Sequence, residues 1–197
     1  MKYYISDLHL FHKNVTGEGN NFDNRPFDTL EEMHKYIKEK WNRKITNGDT
    51  VYILGDVSMR GKKEELIAFV AQLKGRKVLI KGNHDDVSDY RYQQLFHEIC
   101  DYKEMHDTIG KEHYSLVLSH YPIFSWRNMG RGRILLYGHT HESEEDRFYQ
   151  KCLSEMRAND CRHVYEAEEL RAYNVGCMRD YMNYTPRTLE EILNSRS

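Results

Sequence analysis

The sequence lacks a long apolar run. No stretch of its 197 residues approaches the roughly 18 consecutive apolar residues that a membrane-spanning helix needs. It also lacks a charge excess, because 29 Lys and Arg residues stand against 31 Asp and Glu residues, for a net charge of −2. A broad basic surface for nucleic acid or anionic lipid is therefore not expected. We predict neither membrane insertion nor extended nucleic-acid binding.

Cysteine is scarce, and no two cysteines have the C-x-x-C spacing of zinc ribbons or thioredoxin-like sites. Unpaired thiols are typical of a reducing compartment, and a chain of this length does not need disulfides. Residues 1–7 lack the basic leader and apolar segment of an export signal, so we predict a cytoplasmic protein. The four cysteines are Cys100, Cys152, Cys161 and Cys177.

With only 3 prolines and 12 glycines, the chain contains no Pro- or Gly-rich linker, and we predict one domain over residues 1–197. Short apolar runs alternate with helical patterns, which indicates a layered α/β architecture. The predicted strands are residues 2–6, 51–54, 77–81, 115–119 and 134–137, with 174–176 as a last strand or its turn. The first helix is predicted to start near Asp28, as its N-cap, with Glu31 in the capping-box position. A second helix carries its apolar face on Leu66, Phe69, Val70 and Leu73, and residues 189–193 are predicted to close the chain as a short helix.

A charged segment at about residues 142–173 interrupts this alternation and is predicted to be a helical insertion. Its apolar residues share one helical face. That face consists of Phe148, Tyr149, Cys152, Leu153 and Met156. One interpretation is a helix packed on the body with a solvated outer side, and the other is a lid or a dimer surface near the site. The spacing allows both.

Residues with metal-binding side chains follow five of the apolar runs at the point where each run ends. They are Asp7 and His9, Asp56, Asn83 and His84, His120, and His139 and His141. The crevice at the carboxyl ends of strands is where α/β sheets bind ligands, so we expect these side chains to meet. Imidazole and carboxylate ligands without thiolate suit Mn, Fe, Zn, Ni or Co better than Ca²⁺.

The spacing within the first group also fits a metal site. On an extended chain Asp7 and His9 point to the same side, and Asp56 can bridge two cations with its two oxygens. Two divalent cations would leave this crevice with net positive charge in a slightly acidic protein, which favours a phosphate-bearing substrate.

The ordered series Asp7-x-His9, Gly55-Asp56, Gly82-Asn83-His84-Asp85, His120 and Gly138-His139-x-His141 resembles the calcineurin-like metallophosphoesterase superfamily, in particular its small bacterial and phage-type members. The resemblance implies an α/β fold, a four-layer αββα sandwich of two mixed β-sheets flanked by helices. It also implies two divalent cations, with Mn²⁺ preferred and Fe, Zn, Ni or Co as alternatives. In that family pattern Asp7, His9, Asp56 and His141 hold one cation, and Asp56, Asn83, His120 and His139 hold the other.

The function implied by this resemblance is hydrolysis of a small or medium phosphodiester or phosphomonoester. A metal-bridging hydroxide attacks phosphorus in line with the leaving oxygen, and His84 assists departure of the leaving group. Two alternatives remain open: a nuclease of the repair-exonuclease type, and a non-catalytic scaffold of the same fold.

Three residues resemble substrate-binding positions of the family, and the two arginines among them resemble phosphate contacts. Arg60 follows Gly55-Asp56 as in the Gly-Asp-x-x-Asp-Arg-Gly block of the protein phosphatases, and the alternative for it is a surface arginine. His12 and Arg25 match a phage-type Asp-x-His-x-x-His stretch followed by Asn-Arg-Pro-Phe, and for both the alternative is loop packing. Met59 departs from the pattern, since protein phosphatases have there the aspartate that orients the catalytic histidine. In this chain, Asp85 or a backbone carbonyl could orient His84.

Overall fold

The computed structural model describes residues 1–59, 63–160 and 163–195. In these residues, eight strands form two sheets of four. The strands are β1 (Lys2–Ile5), β2 (Thr50–Ile53), β3 (Arg76–Ile80), β4 (Glu98–Cys100), β5 (Tyr102–Ile109), β6 (Glu112–Ser119), β7 (Ile134–Tyr137) and β8 (Ala172–Asn174). The helices are α1 (Leu30–Lys44), α2 (Lys63–Ala71), α3 (Tyr90–Gln93), α4 (Glu144–Ala158) and α5 (Leu189–Asn194).

The first sheet has the order β1-β2-β3-β4 with parallel pairing throughout, and an antiparallel bridge joins Tyr4 to Arg187 at its edge. The second has the order β5-β6-β7-β8, in which β5 and β6 form an antiparallel hairpin and the other two pairs are parallel. The two sheets are joined by a parallel bridge from Ser6 to Gly176. This arrangement of two helix-flanked sheets confirms the predicted α/β sandwich. The prediction that both sheets are mixed is wrong, because the strands β1 to β4 of the first sheet pair in parallel throughout.

The alternation of side chains along β7 shows how the layers pack. Ile134 and Leu136 belong to a large core shared with the first sheet and α1, whereas Leu135 and Tyr137 belong to a second core shared with α4. Because successive strand residues point to opposite faces, one face of the second sheet covers the first sheet and the other is covered by α4.

Helix α1 begins one residue later than the capping pattern predicts. The N-cap is Thr29, whose hydroxyl accepts the N–H of Glu32 at 3.2 Å, and the backbone N–H of Asp28 donates to the Glu32 carboxylate at 3.0 Å. The predicted cap at Asp28 with Glu31 is therefore wrong, because the side chain that reaches the third N–H belongs to Thr29. The rest of the helix agrees with its pattern, with Met33, Ile37 and Trp41 buried.

The predicted strands are present with their ends within three residues of the prediction, and β7 has the predicted bounds, but β4 and β5 were not predicted. Strand β5 is polar at most positions, and its residues alternate between exposed and half-buried, so it contains no apolar run. Its pairing along the whole of β6 also extends that strand back to Glu112 from the predicted start at residue 115.

The charged segment contains one helix, α4, which packs on the outer face of the second sheet through Tyr149 and Leu153. Phe148 is 67% exposed, so its predicted place on the buried face is wrong, and the face that packs is centred on its neighbour instead. Glu142, Ser143, Glu145 and Arg147, around the start of the helix, line a cavity that also contains predicted site residues, so this end of the helix lies close to the predicted site. Among the described residues, no helix is long and apolar enough to span a bilayer.

Candidate metal centre

The predicted metal ligands lie on loops that follow β1, β2, β3, β6 and β7, and the structure brings them together. They form two groups whose donor atoms lie within 4.8 Å of one another in each group. The first group is Asp7, His9 and His141, and the second is Asp56, His120 and His139. Each group therefore combines loops of both sheets.

The Asp56 carboxylate lies between the two groups. Its Oδ2 atom is 3.7 Å from Nε2 of His9 and 3.6 Å from Nε2 of His120, while its Oδ1 accepts the N–H of His84 at 3.0 Å. One oxygen is thus fixed by the backbone, and the other faces both groups. Asn83 adds a further donor to the second group, with Oδ1 3.0 Å from Nε2 of His120.

Five of the six residues in the two groups have a left-handed backbone. The φ angles are 56° for Asp7, 47° for His9, 52° for Asp56, 69° for His139 and 50° for His141. For residues with a Cβ this conformation costs roughly 1–2 kcal/mol each. Such strain concentrates at functional sites, where surrounding contacts hold it. It also corrects one sequence argument, since Asp7 and His9 reach the same group from a tight left-handed loop and not from an extended strand.

Two glycines allow the loops of the second group to approach. Gly55 has φ of +86°, and a Cβ there would overlap the ring of His120. A Cβ on Gly82 would overlap the Asp56 carboxylate and lie 2.9 Å from Cε1 of His120. Glycine at both positions is therefore a steric requirement of this centre.

The ionisation of the first group follows from its burial. Burial raises the pKa of Asp7, while the charges of His141 and His120 and a 2.6 Å hydrogen bond from Ser6 oppose this rise. Burial also lowers the pKa of His9, and the neighbouring Arg25 charge lowers it further, so this imidazole is neutral at pH 7.

These side chains fit divalent metal ions. Nε2 of His9 and Nε2 of His141 are 3.1 Å apart, which directs two imidazole nitrogens at one point. Nδ1 of His9 is buried with no hydrogen-bond partner in the described part of the chain, so the fit to a cation rests on Nε2, the nitrogen that faces His141. Neutral imidazoles beside carboxylates form the donor set that first-row divalent cations prefer.

Arg25 does not face the cavity, which corrects its predicted contact with phosphate. Its side chain is 0% exposed, and its guanidinium donates to the backbone oxygens of Asp7 and Leu8 and to the carboxylate of Asp23. Nothing in the sequence motif distinguishes this buried arrangement from a phosphate contact. His12 does line the cavity, with its ring 5.8 Å from that of His9. Arg60 lies outside the described residues.

His84 lies beside the centre and lines the cavity. Its Nε2 is 4.0 Å from Oδ2 of Asp56, and its side chain is 32% exposed. Asp85 does not orient this ring, because its carboxylate accepts three backbone N–H groups, those of Asp56, Val57 and Gly82, at 2.8–2.9 Å. The expectation that Asp85 could orient His84 is replaced by a different role: Asp85 ties the β2 and β3 loops together.

The cavity next to the centre has a volume of about 1010 Å³. Besides metal-ligand candidates, its walls carry apolar and charged side chains. These include Phe22, Pro26, Met59, Met178, Glu142, Glu145, Arg147, Arg179 and Asp180. Phe22 is half exposed, with its ring 5.8 Å from the ring of His141, a position that the sequence did not single out.

Comparison with known proteins agrees with this geometry. Residues 3–169 match a family model described as calcineurin-like phosphoesterase. The chain is similar to an uncharacterized protein of Methanocaldococcus jannaschii, with 31% identity over 74% of this chain and 72% of that one. It is also similar to the gene 66 protein of Mycobacterium phage D29, with 30% identity over 71% of this chain and 77% of the phage protein. A crystal structure of a protein of unknown function from Aquifex aeolicus has the same fold, with a TM-score of 0.66 and 24% identity over 99% of this chain and 98% of that one.

Proposed function

Because this chain belongs to the calcineurin-like phosphoesterase family, we propose that it is a hydrolase that uses two divalent cations to cleave a small or medium phosphodiester or phosphomonoester. The observation that carries the proposal is the position of Asp56, whose Oδ2 faces a histidine of each group at 3.6–3.7 Å. Paired cations that share a ligand are the usual arrangement for in-line displacement at phosphorus. In a scaffold without metals, this cluster would cost backbone strain and the burial of polar groups with no compensating ligand.

In this proposal Asp7, His9 and His141 hold one cation, His120, His139 and Asn83 hold the other, and Asp56 is shared. When bound, divalent cations would supply Lewis acidity and would lower the pKa of water, which is the chemistry that hydrolysis of a phosphoester at neutral pH needs. Mn²⁺ is the proposed ion, and Fe, Zn, Ni and Co accept the same nitrogen and oxygen donors.

His84 is the proposed proton donor to the leaving oxygen. Its backbone N–H is fixed by Oδ1 of Asp56, and its partly exposed ring lies at the edge of the cavity beside the shared carboxylate. A ring in this place reaches both the centre and a substrate in the cavity. General acid catalysis of this kind typically accelerates the reaction 10²–10⁴-fold.

The cavity wall supports a compact substrate over a nucleic-acid strand. Glu142, Glu145 and Asp180 line it, and a polyanion would meet their like charges. Among the described residues, the arginines on the wall are engaged by carboxylates: Arg147 lies 3.2 Å from Glu144, and Arg179 lies 3.5 Å from Asp146. We therefore place the nuclease second to a hydrolase of small or medium phosphoesters.

The test starts from protein stripped of metal by chelation and reloaded with Mn²⁺. We expect about two ions per chain, and turnover that disappears with EDTA and returns with Mn²⁺. A panel of phosphomonoesters, cyclic nucleotides, dinucleotides and aryl diesters, ranked by kcat/KM, identifies the substrate class. Full activity after chelation would refute the two-metal chemistry, two bound ions without turnover on any substrate would indicate a scaffold, and a preference for long single strands would favour the nuclease.

A further inference from the structure

A buried chain of hydrogen bonds runs from the first metal group into the loop of residues 21–25. Nδ1 of His141 is 2.9 Å from Oδ1 of Asp23, and Oδ2 of Asp23 accepts Nε–H of Arg25 at 2.8 Å. Arg25 then donates from its two terminal nitrogens to the backbone oxygens of Asp7 and Leu8, each at 2.8 Å. The chain thus begins at one metal-ligand candidate and ends on the backbone of another.

The two charged side chains in this series of hydrogen bonds are removed from solvent, since that of Arg25 is 0% exposed and that of Asp23 is 3% exposed. Burying two charges is costly unless they are paired and hydrogen-bonded. Here Nε and both terminal nitrogens of Arg25 each donate to an oxygen, namely the Asp23 carboxylate and the backbone oxygens of Leu8 and Asp7. Asn21 braces the loop further, because its side chain accepts the N–H of Arg25 and donates to the carbonyl of Arg25. Arg25 does not line the cavity, whereas Asp23 lines it with a side chain that Arg25 and His141 already engage.

We propose that Asp23 and Arg25 are positioning residues for the first metal group, an inference that rests on the proposed two-metal function. A carboxylate can only accept, so the proton of His141 is held on Nδ1 and the lone pair of Nε2 is left free. That Nε2 atom lies 3.1 Å from Nε2 of His9 and 3.8 Å from Oδ1 of Asp7, which is where a cation would be held. The guanidinium of Arg25 fixes the Asp23 carboxylate through Nε–H and fixes the Asp7 loop by donating to the backbone oxygens of Asp7 and Leu8.

In the second metal group, the tautomer of His120 is fixed by a backbone carbonyl instead of a carboxylate. Nδ1 of His120 donates to the carbonyl of Leu54 at 2.8 Å, so its Nε2 is also left free for a metal. The tautomer of His120 therefore does not depend on a side chain, whereas that of His141 depends on Asp23. This asymmetry predicts that a change at Asp23 affects one metal site and spares the other.

The Asp23→Asn substitution tests this most sharply. Arg25 has only donors, so the new amide must turn its oxygen towards Arg25 and its NH₂ towards Nδ1 of His141. Nδ1 then has to accept, the ring proton moves to Nε2, and the nitrogen that faces the metal can no longer bind it. The side chain keeps its size, so the change acts through the tautomer of His141 rather than through packing.

The readout is the binding of Mn²⁺ to metal-free protein, monitored by electron paramagnetic resonance during a titration. This measurement needs no turnover. We expect Asp23→Asn to weaken one of two Mn²⁺ sites 10–100-fold, the usual effect of losing such an outer ligand partner, and to change the other by less than about twofold. Arg25→Lys, with one donor group in place of a fork, should weaken the same site less than Arg25→Met.

Asp49→Asn is the matched control. Asp49 is a buried carboxylate that accepts hydrogen bonds from the amino-terminal ammonium, at 2.6 Å, and from the N–H and hydroxyl of Thr46. It directly precedes β2 and therefore lies at the end of the sheet away from the ligand loops. It measures the general cost of turning a buried, charge-paired carboxylate into an amide. We expect this variant to bind both Mn²⁺ ions as the wild type does.

Two unchanged sites in Asp23→Asn, or equal weakening of both, would overturn the positioning role. If that variant does not fold, ¹⁵N NMR of wild-type metal-free protein decides, because a His141 ring protonated on Nε2 and not on Nδ1 would equally refute it. Wild-type protein that binds two ions but hydrolyses nothing would refute the proposed function alone, and wild-type protein that binds no divalent cation would refute both.

Discussion

Replacing His84 by alanine should slow hydrolysis in proportion to how poorly the leaving group departs. The ring lies at the cavity edge, 4.0 Å from Oδ2 of Asp56, and the proposed task for it is to give a proton to the leaving oxygen. An oxygen that leaves easily as an anion needs no such proton, whereas an alkoxide needs it most. The substitution should therefore change the dependence of the rate on leaving-group pKa.

The size of the effect follows from the chemistry and from the exposure of the ring. For a poor leaving group the loss should be about 10²–10⁴-fold, equivalent to roughly 3–5 kcal/mol in the activation barrier. For a nitrophenolate it should stay below about tenfold. Because the side chain is about a third exposed and the loop is held by the backbone N–H of His84, alanine should change the free energy of unfolding by less than about 1 kcal/mol.

The assay is kcat/KM for a series of aryl and alkyl phosphoesters whose leaving groups span several pKa units, measured with Mn²⁺ on wild type and variant. The variant should show the steeper dependence and bind the same two metal ions. A uniform loss across the series would indicate that His84 stabilises charge on the phosphate and does not donate a proton, and a loss of bound metal would place it among the ligands.

The remaining predictions concern metal affinity, backbone strain and pH. Asp56→Asn should weaken both Mn²⁺ sites more than about 100-fold, since its Oδ2 faces both groups, and loss of one site alone in a titration would contradict a shared ligand. The backbone of His139 has φ of 69°, so the His139→Gly variant should resist denaturant better than His139→Ala by about 1 kcal/mol, although glycine usually destabilises relative to alanine. Equal stabilities of the two variants would show that the position is unstrained. Burial holds the pKa of His34 near 4, against 6.5 when unfolded, so below pH 6.5 the unfolded chain binds more protons and stability falls until about pH 4. His34→Gln should lessen that acid loss by on the order of 1–2 kcal/mol, after allowance for solvent screening, and urea titrations of metal-free protein from pH 7 to 4 should show no difference if His34 is not the cause.

The placement of the metal ligands was predictable because it rests on two strong local signals. Buried strands appear in the sequence as apolar runs, and each of five runs is followed directly by Asp, Asn or His. Parallel strands bring such positions to one edge of a sheet, so the order of residues along the chain already implies their meeting in space. The helix of Met33, Ile37 and Trp41 was predictable for the same kind of reason, since one face is apolar at helical spacing.

What the sequence could not show depends on contacts between distant segments. Arg25 is an arginine in a plausible phosphate motif, and only the fold reveals that the backbone of residues 7 and 8 occupies its guanidinium. Asp85 similarly follows His84 in sequence but is used by three backbone N–H groups from two loops. Phe148 shares a helical stripe with its neighbours, yet α4 packs on the second sheet through Tyr149 and Leu153, which leaves Phe148 67% exposed.

The way each metal group is assembled links cation binding to the stability of the whole sandwich. Asp7 and His9 follow the first sheet while His141 follows the second, and Asp56 from the first sheet meets histidines from the second. A cation held by either group would therefore tie the two sheets together. Without cations the same loops bear left-handed ligand residues and a buried carboxyl whose pKa is raised by burial, all of which work against folding. A ligand that binds only the folded state stabilises it by mass action, by about 2.7 kcal/mol at a ligand concentration of a hundred times its Kd. Metal binding would therefore stabilise the fold at the same loops whose left-handed residues and buried carboxyl work against it.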